Sequence, residues 1–226
     1  MVLDVLYHDN HLLVVAKPAG IGVVPDDSGD QSLLDQCKAW VAREYSKPGA
    51  VFLGVVHRLD RPVSGVVCFA RTSKAAGRLS AAFRDRLVKK VYWGVSDGAP
   101  EEEAGELVQW LVKDRERNKV RVVDAAVAER LGAKEARTVW RVLKRGGAMG
   151  GGRTLLELLP ETGRSHQLRV AAASLGCVLC GDLKYGAKES LGDRSVGLHA
   201  IRLALEHPTT KEALTFETPA PKLFNI

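Results

Sequence analysis

The stretch that decides the fold of this chain is HRLDRPVSGVVCFART, residues 57–72. Its second half, Val66–Ala70, is an apolar run with the length of a short buried strand. Its first half is polar, and Pro62 disfavours a helix there. The stretch therefore predicts a loop that leads into a rigid strand, and loops held in this way often carry the reactive side chains of a protein.

Asp60 is the candidate catalytic residue of this loop. It stands between Arg58 and Arg61, and neighbouring guanidinium groups favour the ionised form of a carboxyl group. An ionised aspartate can act as a nucleophile or as a base. A loop salt bridge would use the same residues, so this stretch alone leaves both interpretations open.

Composition narrows the class of protein. The 226 residues suffice for one large domain or one domain with two lobes, and the net charge of +6 favours a polyanionic partner. We expect no signal peptide and no membrane span, because Asp4 comes early and no apolar run approaches about 20 residues. Four cysteines are too few for a disulfide scaffold of this size and fit a cytoplasmic location.

Local patterns predict alternating strands and helices around the central loop. Ser32 can cap a helix over 33–45, and Thr72 or Ser73 can begin a helix that ends at Arg86. Lys17 stands at the end of a strand, before Pro18 and Gly20, and we expect it to be solvated. The remaining strands are predicted at 2–7, 12–17, 90–95, 107–111, 120–123, 135–143 and 154–159, with a flexible hairpin tip at 145–153.

A second polar stretch, PETGRSHQLR, runs from residue 160 to residue 169. It turns at Gly163 and is predicted to enter a helix at His166. A helix N-terminus carries free N–H groups and partial positive charge, to which Arg164 and His166 add. The stretch could therefore hold a carboxylate or a phosphate, and Arg164 could pair with Asp60.

These motifs together resemble the RluA-type family of RNA pseudouridine synthases. HRLDRPVSG is followed by LLPETGRSHQLRV and then by GDLKYG, the opening HDNHLLVVAKPAGIGVVP resembles the family's first motif, and LHAIRLALEHP with FETPAP resembles its closing segment. The match covers nearly the whole chain. Two departures are visible: Val63 stands where a threonine is usual, and Cys177–Cys180 replaces a stretch that usually contains His and Pro.

The resemblance implies roles for individual residues. Asp60 would be the catalytic aspartate, Arg164 its salt-bridge partner and Tyr92 the aromatic that stacks on the target uracil. Alternation along its strand places Tyr92 on the same face as Lys90 and Gly94. The resemblance also places Leu168 in the pocket wall. The predicted substrate-binding set further includes His166 and three candidate phosphate contacts, Arg58, Arg61 and Lys90, for each of which a plain surface charge is the alternative.

The resemblance also implies a fold and a reaction. We expect an α+β fold, with a mixed and largely antiparallel sheet in two lobes, flanking helices and a central cleft. Residues 1–226 would form a single catalytic domain, a monomer without an S4-type domain, acting on a stem-loop of rRNA or tRNA. Moving uracil from an N1–C1′ to a C5–C1′ bond involves no net oxidation or hydrolysis, so we expect no cofactor and no metal.

Other interpretations are weaker. The glycines at 146–152 lack the Lys-Ser/Thr of a phosphate-binding loop, and Cys177-x-x-Cys180 has no second pair for a zinc site. A glycosidase would need two carboxylates around one sugar, and only Asp60 has the right setting. A non-catalytic RNA-binding or RNA-chaperone protein of the same fold is the alternative that stays open.

Overall fold

A computed structural model describes residues 3–27, 29–146 and 152–226 of the chain. Residues 147–151 of the predicted hairpin tip lie outside the described residues. The helices are α1 (Leu33–Glu44), α2 (Ser73–Arg84), α3 (Ala125–Ala128) and α4 (Gln167–Ser174). The strands are β1 (Asp4–His8), β2 (Leu12–Lys17), β3 (Gly54–Val55), β4 (Ser64–Ala70), β5 (Lys89–Asp97), β6 (Ala104–Asp114), β7 (Lys119–Val123), β8 (Lys134–Arg145), β9 (Arg153–Pro160), β10 (Val178–Leu179), β11 (Leu198–Glu206) and β12 (Ala213–Glu217).

The chain divides into two compact units. The first comprises Met1–Lys89 with Ala200–Pro219, and the second comprises Lys90–His199 with Ala220–Ile226. The pairings β1–β2, β2–β4, β5–β9, β6–β7, β6–β8, β8–β9 and β11–β12 are all antiparallel. The prediction of an α+β fold with a largely antiparallel sheet is therefore confirmed.

In the first unit the sheet runs in the order β1-β2-β4-β11-β12, and β3 adds to β4. Apolar residues of β2 and β4 pack against Ala75 and Leu79 of α2, together with Leu203, Leu205 and Phe216 from the C-terminal strands. Strand β4 is buried along almost its entire length, as the apolar run predicted.

Gly65 shows why the sheet of the first unit requires a glycine at the start of β4. Its φ is +127°, a conformation that L side chains rarely adopt. A Cβ atom at this position would lie 2.4 Å from the carbonyl oxygen of Ala200 on β11. The two backbones therefore approach each other so closely that no side chain fits between them.

In the second unit the sheet runs in the order β10-β5-β9-β8-β6-β7. One apolar cluster joins Val170 of α4 to Leu111, Val120 and Ala136, with Tyr185 packed against it. Another joins Phe224, near the C-terminus, to Val95, Leu155 and Cys180.

The helix predictions are confirmed where local capping signals exist. Ser32 and Asp35 form a capping box at the start of α1, and the side chain of Thr72 caps α2. Helix α2 ends at Arg84 rather than Arg86, because Arg86 has a positive φ of 61°. Helix α3 and strands β10–β12 have no counterpart in the predicted elements. Among the described residues, no helix is long and apolar enough to cross a membrane.

Candidate active site

The Asp60 loop joins β3 to β4 within the first unit. The backbone N–H of Val63 donates to the carbonyl oxygen of Asp60 at 3.0 Å, which closes a turn. Leu59 and Val63 are buried on either side, and the side chain of Asp60 is half-buried between them. Because Val63 lies in the core, the threonine-to-valine departure places an apolar side chain in apolar surroundings.

His57 fixes the start of this loop. Its Nε2 accepts a hydrogen bond from the backbone N–H of Cys68 at 2.9 Å, and its ring stacks on Phe83 at 4.7 Å between centroids. Since Nε2 is an acceptor, the proton of the neutral ring is on Nδ1. His57 therefore ties the loop to strand β4 and helix α2.

Lys17 is hydrogen-bonded to the Asp60 loop. The expectation that its side chain is solvated was wrong. It is 2% exposed, and its Nζ donates to the carbonyl oxygens of Pro18 at 2.9 Å, Ile21 at 2.8 Å and Arg61 at 3.1 Å. Burial lowers the pKa of Lys17 to about 7, and the carboxylate of Asp60 opposes that shift. The backbone N–H of Gly20 also donates to the Arg61 carbonyl at 2.9 Å. Hydrogen bonds therefore hold the Lys17–Gly20 turn against the Asp60 loop.

Arg58 and Arg61 differ in their surroundings. The side chain of Arg58 is exposed. The guanidinium of Arg61 forms ion pairs with Asp26 at 2.7 Å and Asp30 at 2.6 Å, and these carboxylates raise the pKa of Arg61. Arg61 therefore fastens Asp26 and Asp30 to the Asp60 loop. The predicted phosphate contacts of both arginines stay predictions.

In the second unit, Gln167 organises the stretch that carries Arg164. Its Oε1 accepts from the hydroxyl of Thr162 at 2.7 Å and from the backbone N–H of Arg164 at 3.0 Å. Its Nε2 donates to the carbonyl oxygen of Arg137 at 2.9 Å and to the hydroxyl of Thr138 at 3.0 Å. All four hydrogen-bonding positions of this buried amide are occupied, which fixes the turn to strand β8.

Three predicted site residues of the second unit differ in their exposure and contacts. Arg164 is exposed, and its Nε donates to the carbonyl oxygen of Glu135 at 2.8 Å. The Nζ of Lys90 donates to the carbonyl oxygen of Thr162 at 3.3 Å, which brings Lys90 to the same turn. Tyr92 is half-buried on β5, opposite Leu158 of β9.

His166 precedes the helix rather than beginning it, which corrects the predicted start of α4. It has a left-handed φ of 53° and is the N-cap of a helix that starts at Gln167. Its Nδ1 lies 2.7 Å from the hydroxyl of Tyr185. Leu168 is buried in the first turn of α4.

Sequence reasoning missed four functional supports: Lys17, Gln167, Tyr185 and the ion pair of Arg169 with Asp182. Arg169 donates to both oxygens of Asp182, at 2.8 and 2.6 Å, and both side chains are buried. Asp182 and Tyr185 belong to the GDLKYG motif. Asp182 follows the apolar run at 177–180, and a carboxylate next to a buried run usually needs a cationic partner, so the motif could have indicated the ion pair.

Comparison with known proteins identifies the family. A family model described as RNA pseudouridylate synthase matches residues 11–174. The chain belongs to the RNA pseudouridylate synthase family. The resemblance to the RluA type is confirmed, and the reaction class is the isomerisation of uridine in RNA. The alternative of a non-catalytic protein is thereby set aside.

Relatives of this pseudouridylate synthase span nearly the whole chain. An uncharacterized RNA pseudouridine synthase of Zymomonas mobilis is 36% identical over 222 residues, covering 97% of this chain and 94% of that protein. The dual-specificity RNA pseudouridine synthase RluA of Haemophilus influenzae is 34% identical over 216 residues, covering 95% and 91%. The solved structure of human RNA pseudouridylate synthase domain containing 4 superposes with a TM-score of 0.78 at 27% identity, covering 98% and 90%.

Proposed function

We propose that this pseudouridylate synthase acts as a monomeric single-domain enzyme on a uridine in a stem-loop of ribosomal or transfer RNA, with Asp60 as its catalytic carboxylate. The observation that carries the assignment of Asp60 is the support of its loop. Lys17, His57 and the turn to Val63 fix the backbone on both sides of a half-buried carboxylate. A nucleophile or base needs this combination of fixed position and access to substrate.

The proposed reaction begins with a uridine turned out of its stack. Tyr92 would stack on the uracil, which offsets part of the few kcal/mol that unstacking costs. The carboxylate of Asp60 would attack C1′ or remove a proton from the sugar, so that the N1–C1′ bond breaks. The detached uracil then turns and joins C1′ through C5, which breaks the bond between C1′ and the Asp60 carboxylate in the first route and returns the proton from Asp60 to the sugar in the second. Loss of the C5 proton, with the hydroxyl of Tyr92 as its relay, completes the isomerisation and leaves Asp60 ionised as at the start.

The remaining proposed roles concern binding and orientation. Arg164 would pair with the ionised Asp60, and the Nε bond to Glu135 leaves the two terminal nitrogens of its guanidinium to form that pair. Arg58, Arg61 and Lys90 would contact phosphates, His166 would contact the nucleotide, and Leu168 would form part of the pocket wall. The dual specificity in the name of the Haemophilus relative supports more than one RNA target for this chain as well.

Pseudouridine mapping tests the assignment of Asp60. Unmodified tRNA and rRNA would be incubated with the wild type, with Asp60→Asn and with Asp85→Asn, an exposed aspartate at the end of α2 that serves as control. Reverse-transcription stops after carbodiimide labelling should appear with the wild type and the control only. Stops of equal strength with Asp60→Asn would overturn the assignment.

Two further variants test the partners of Asp60. Arg164→Leu should abolish stops at the same sites while the exposed Arg130→Leu control keeps them. Tyr92→Phe should keep RNA affinity, because the ring still stacks, and should slow the last proton transfer. Full activity of Arg164→Leu would contradict the proposed pairing, and an unchanged rate for Tyr92→Phe would contradict the relay.

A further inference from the structure

The β6–β7 hairpin carries an unusual concentration of positive charge within the second unit. Residues 113–121 contain five basic and two acidic residues, and the basic side chains are all exposed: Lys113, Arg115, Arg117, Lys119 and Arg121. Arg117 is 4.0 Å from Asp114 in the same hairpin. Across the part of the chain that the structure describes, the other four basic residues form no ion pair.

Strands β8 and β9 of the same unit show the opposite arrangement. Arg141 pairs with Glu157 at 2.6 Å, Arg145 with Glu103 at 2.7 Å and Arg153 with Asp97 at 3.6 Å. Arg137 contacts three carboxylates, those of Glu106, Glu135 and Glu161. The unit therefore neutralises the arginines of one strand pair and leaves the positive charge of the other uncompensated.

The hairpin is held in one shape before any partner binds. Asn118 has a left-handed φ of 45°, and its N–H donates to the carbonyl oxygen of Arg115 at 3.3 Å. The Nζ of Lys184 donates to the carbonyl oxygen of Asn118 at 2.8 Å, which fastens the tip to the GDLKYG segment. A fixed array of cations loses less conformational entropy on binding than a flexible one.

Tyr185 connects this hairpin to the predicted substrate-binding helix start. Its hydroxyl accepts a hydrogen bond from the backbone N–H of Val120 on β7 at 2.9 Å and lies 2.7 Å from Nδ1 of His166. The centroid of its ring is 5.1 Å from the guanidinium of Arg169 and 5.7 Å from the Nζ of Lys119. One side chain thus sets the distance between the hairpin and His166.

We infer that the β6–β7 hairpin binds RNA backbone phosphates that flank the modified nucleotide, and that Tyr185 positions this surface relative to His166. The inference rests on the proposed RNA substrate. Uncompensated cations on a fixed hairpin fit a regularly spaced polyanion, and such contacts give affinity without reading sequence. The hairpin would therefore increase affinity for long RNA and leave the chemical step unchanged.

A charge-neutralised variant tests the surface. Lys113, Arg115, Lys119 and Arg121 would all be replaced by Gln, and the control would remove equal charge from exposed positions of the first unit: Arg43, Lys47, Lys74 and Arg84. Binding of a tRNA transcript would be measured with Asp60→Asn in both backgrounds, so that the RNA is not converted. The hairpin variant should bind at least tenfold more weakly than the control at about 0.1 M salt. The slope of log affinity against log salt should fall by about 3, near 0.7 for each phosphate that the hairpin no longer neutralises.

The outcomes separate the explanations. Equal affinities and salt slopes for the hairpin variant and the control would overturn the inference. Loss of binding to phosphatidylglycerol vesicles with RNA binding unchanged would overturn it in favour of a membrane surface. If mapping finds no pseudouridine but the hairpin variant still loses RNA affinity, the catalytic proposal fails and the hairpin inference stands.

Tyr185→Phe tests the positioning role. It removes the hydroxyl and keeps the ring and every charge, so the salt slope should not change. KM for the tRNA transcript should rise about three- to fivefold, with kcat at saturating RNA unchanged. Tyr45→Phe is the matched control, because its hydroxyl bonds Nδ1 of His8 at 2.8 Å in the first unit. A fall in kcat without a change in KM, or equal effects in the two variants, would contradict the role.

Discussion

Two buried side chains hold the two loops that carry the predicted catalytic residues, and they use different chemistry. Lys17 supports the Asp60 loop with an ammonium group that only donates, matched to three carbonyl oxygens. Gln167 supports the Arg164 turn with a neutral amide that donates twice and accepts twice. The charged support should depend on protonation, whereas the neutral support should not.

The largest effect is expected from Lys17→Met. This variant keeps a long apolar chain but leaves the carbonyl oxygens of Pro18 and Ile21 without their donor, while that of Arg61 keeps the N–H of Gly20. At about 1–3 kcal/mol for each unpaired carbonyl, the free energy of unfolding should fall by about 2–6 kcal/mol. Urea denaturation would measure the change. The exposed Lys74→Met control should change the free energy of unfolding by less than about 0.5 kcal/mol. A similar small change for Lys17→Met would show that the loop does not depend on the ammonium group.

Gln167→Leu should have the next largest effect, a loss of about 2–3 kcal/mol from the unpaired polar groups that remain. Gln167→Glu sharpens the comparison, because a carboxylate can accept from Thr162 but cannot donate to the Arg137 carbonyl. The new carboxyl group should have a raised pKa in the folded state. Its stability should therefore be greatest at low pH and fall as the pH rises through that pKa. A stability independent of pH would contradict the hydrogen-bond pattern given for Gln167.

The pH dependence of the wild type should come partly from Lys17. Burial lowers its pKa to about 7, so above this pH the unfolded state binds more protons than the folded state. Stability should therefore rise between about pH 7 and pH 10 relative to Lys17→Met. Parallel urea titrations across this range would measure the difference. Equal slopes in the two proteins would remove the distinction between a charged and a neutral support.

The smallest effect is expected from Asp26→Asn, which removes one of the two carboxylates paired with Arg61. The pair is partly exposed, so the loss should be about 0.2–1 kcal/mol and should shrink at 1 M salt. Glu217→Gln, which breaks the exposed pair with Arg202 in the same unit, is the matched control. A loss above about 2 kcal/mol for Asp26→Asn alone would make Arg61, rather than Lys17, the main support of the Asp60 loop.

Local signals explain what the sequence predicts well. Ser32 and Thr72 mark helix starts because the capping partners lie three residues away. The apolar run after Gly65 predicts a buried strand because burial on both faces requires continuous apolar residues. The motifs quoted from HDNHLLVVAKPAGIGVVP to FETPAP, taken together, were sufficient to recognise the resemblance to the family.

The failures have a common physical cause, which is contact between distant positions. The burial of Lys17 was not predicted because one of its acceptors, the carbonyl of Arg61, lies 44 residues later in the chain. Gln167 was overlooked because its donor groups bond Arg137 and Thr138, 30 and 29 residues earlier. Hydrophobic periodicity and turn signals depend on residues close together in sequence. They therefore cannot predict hydrogen bonds between residues that are far apart in sequence.

The close approach of Gly65 to Ala200 has a consequence for the synthesis of the protein. Strand β4 begins where the Asp60 loop ends, and β11 lies against it at the position of Gly65. The first unit therefore consists of an early and a late part of the chain, separated by Lys90–His199 of the second unit. On the ribosome, the early part must wait for residues 200–219 to emerge, so β4 gains its neighbour β11 only after residues 90–199 have been synthesised.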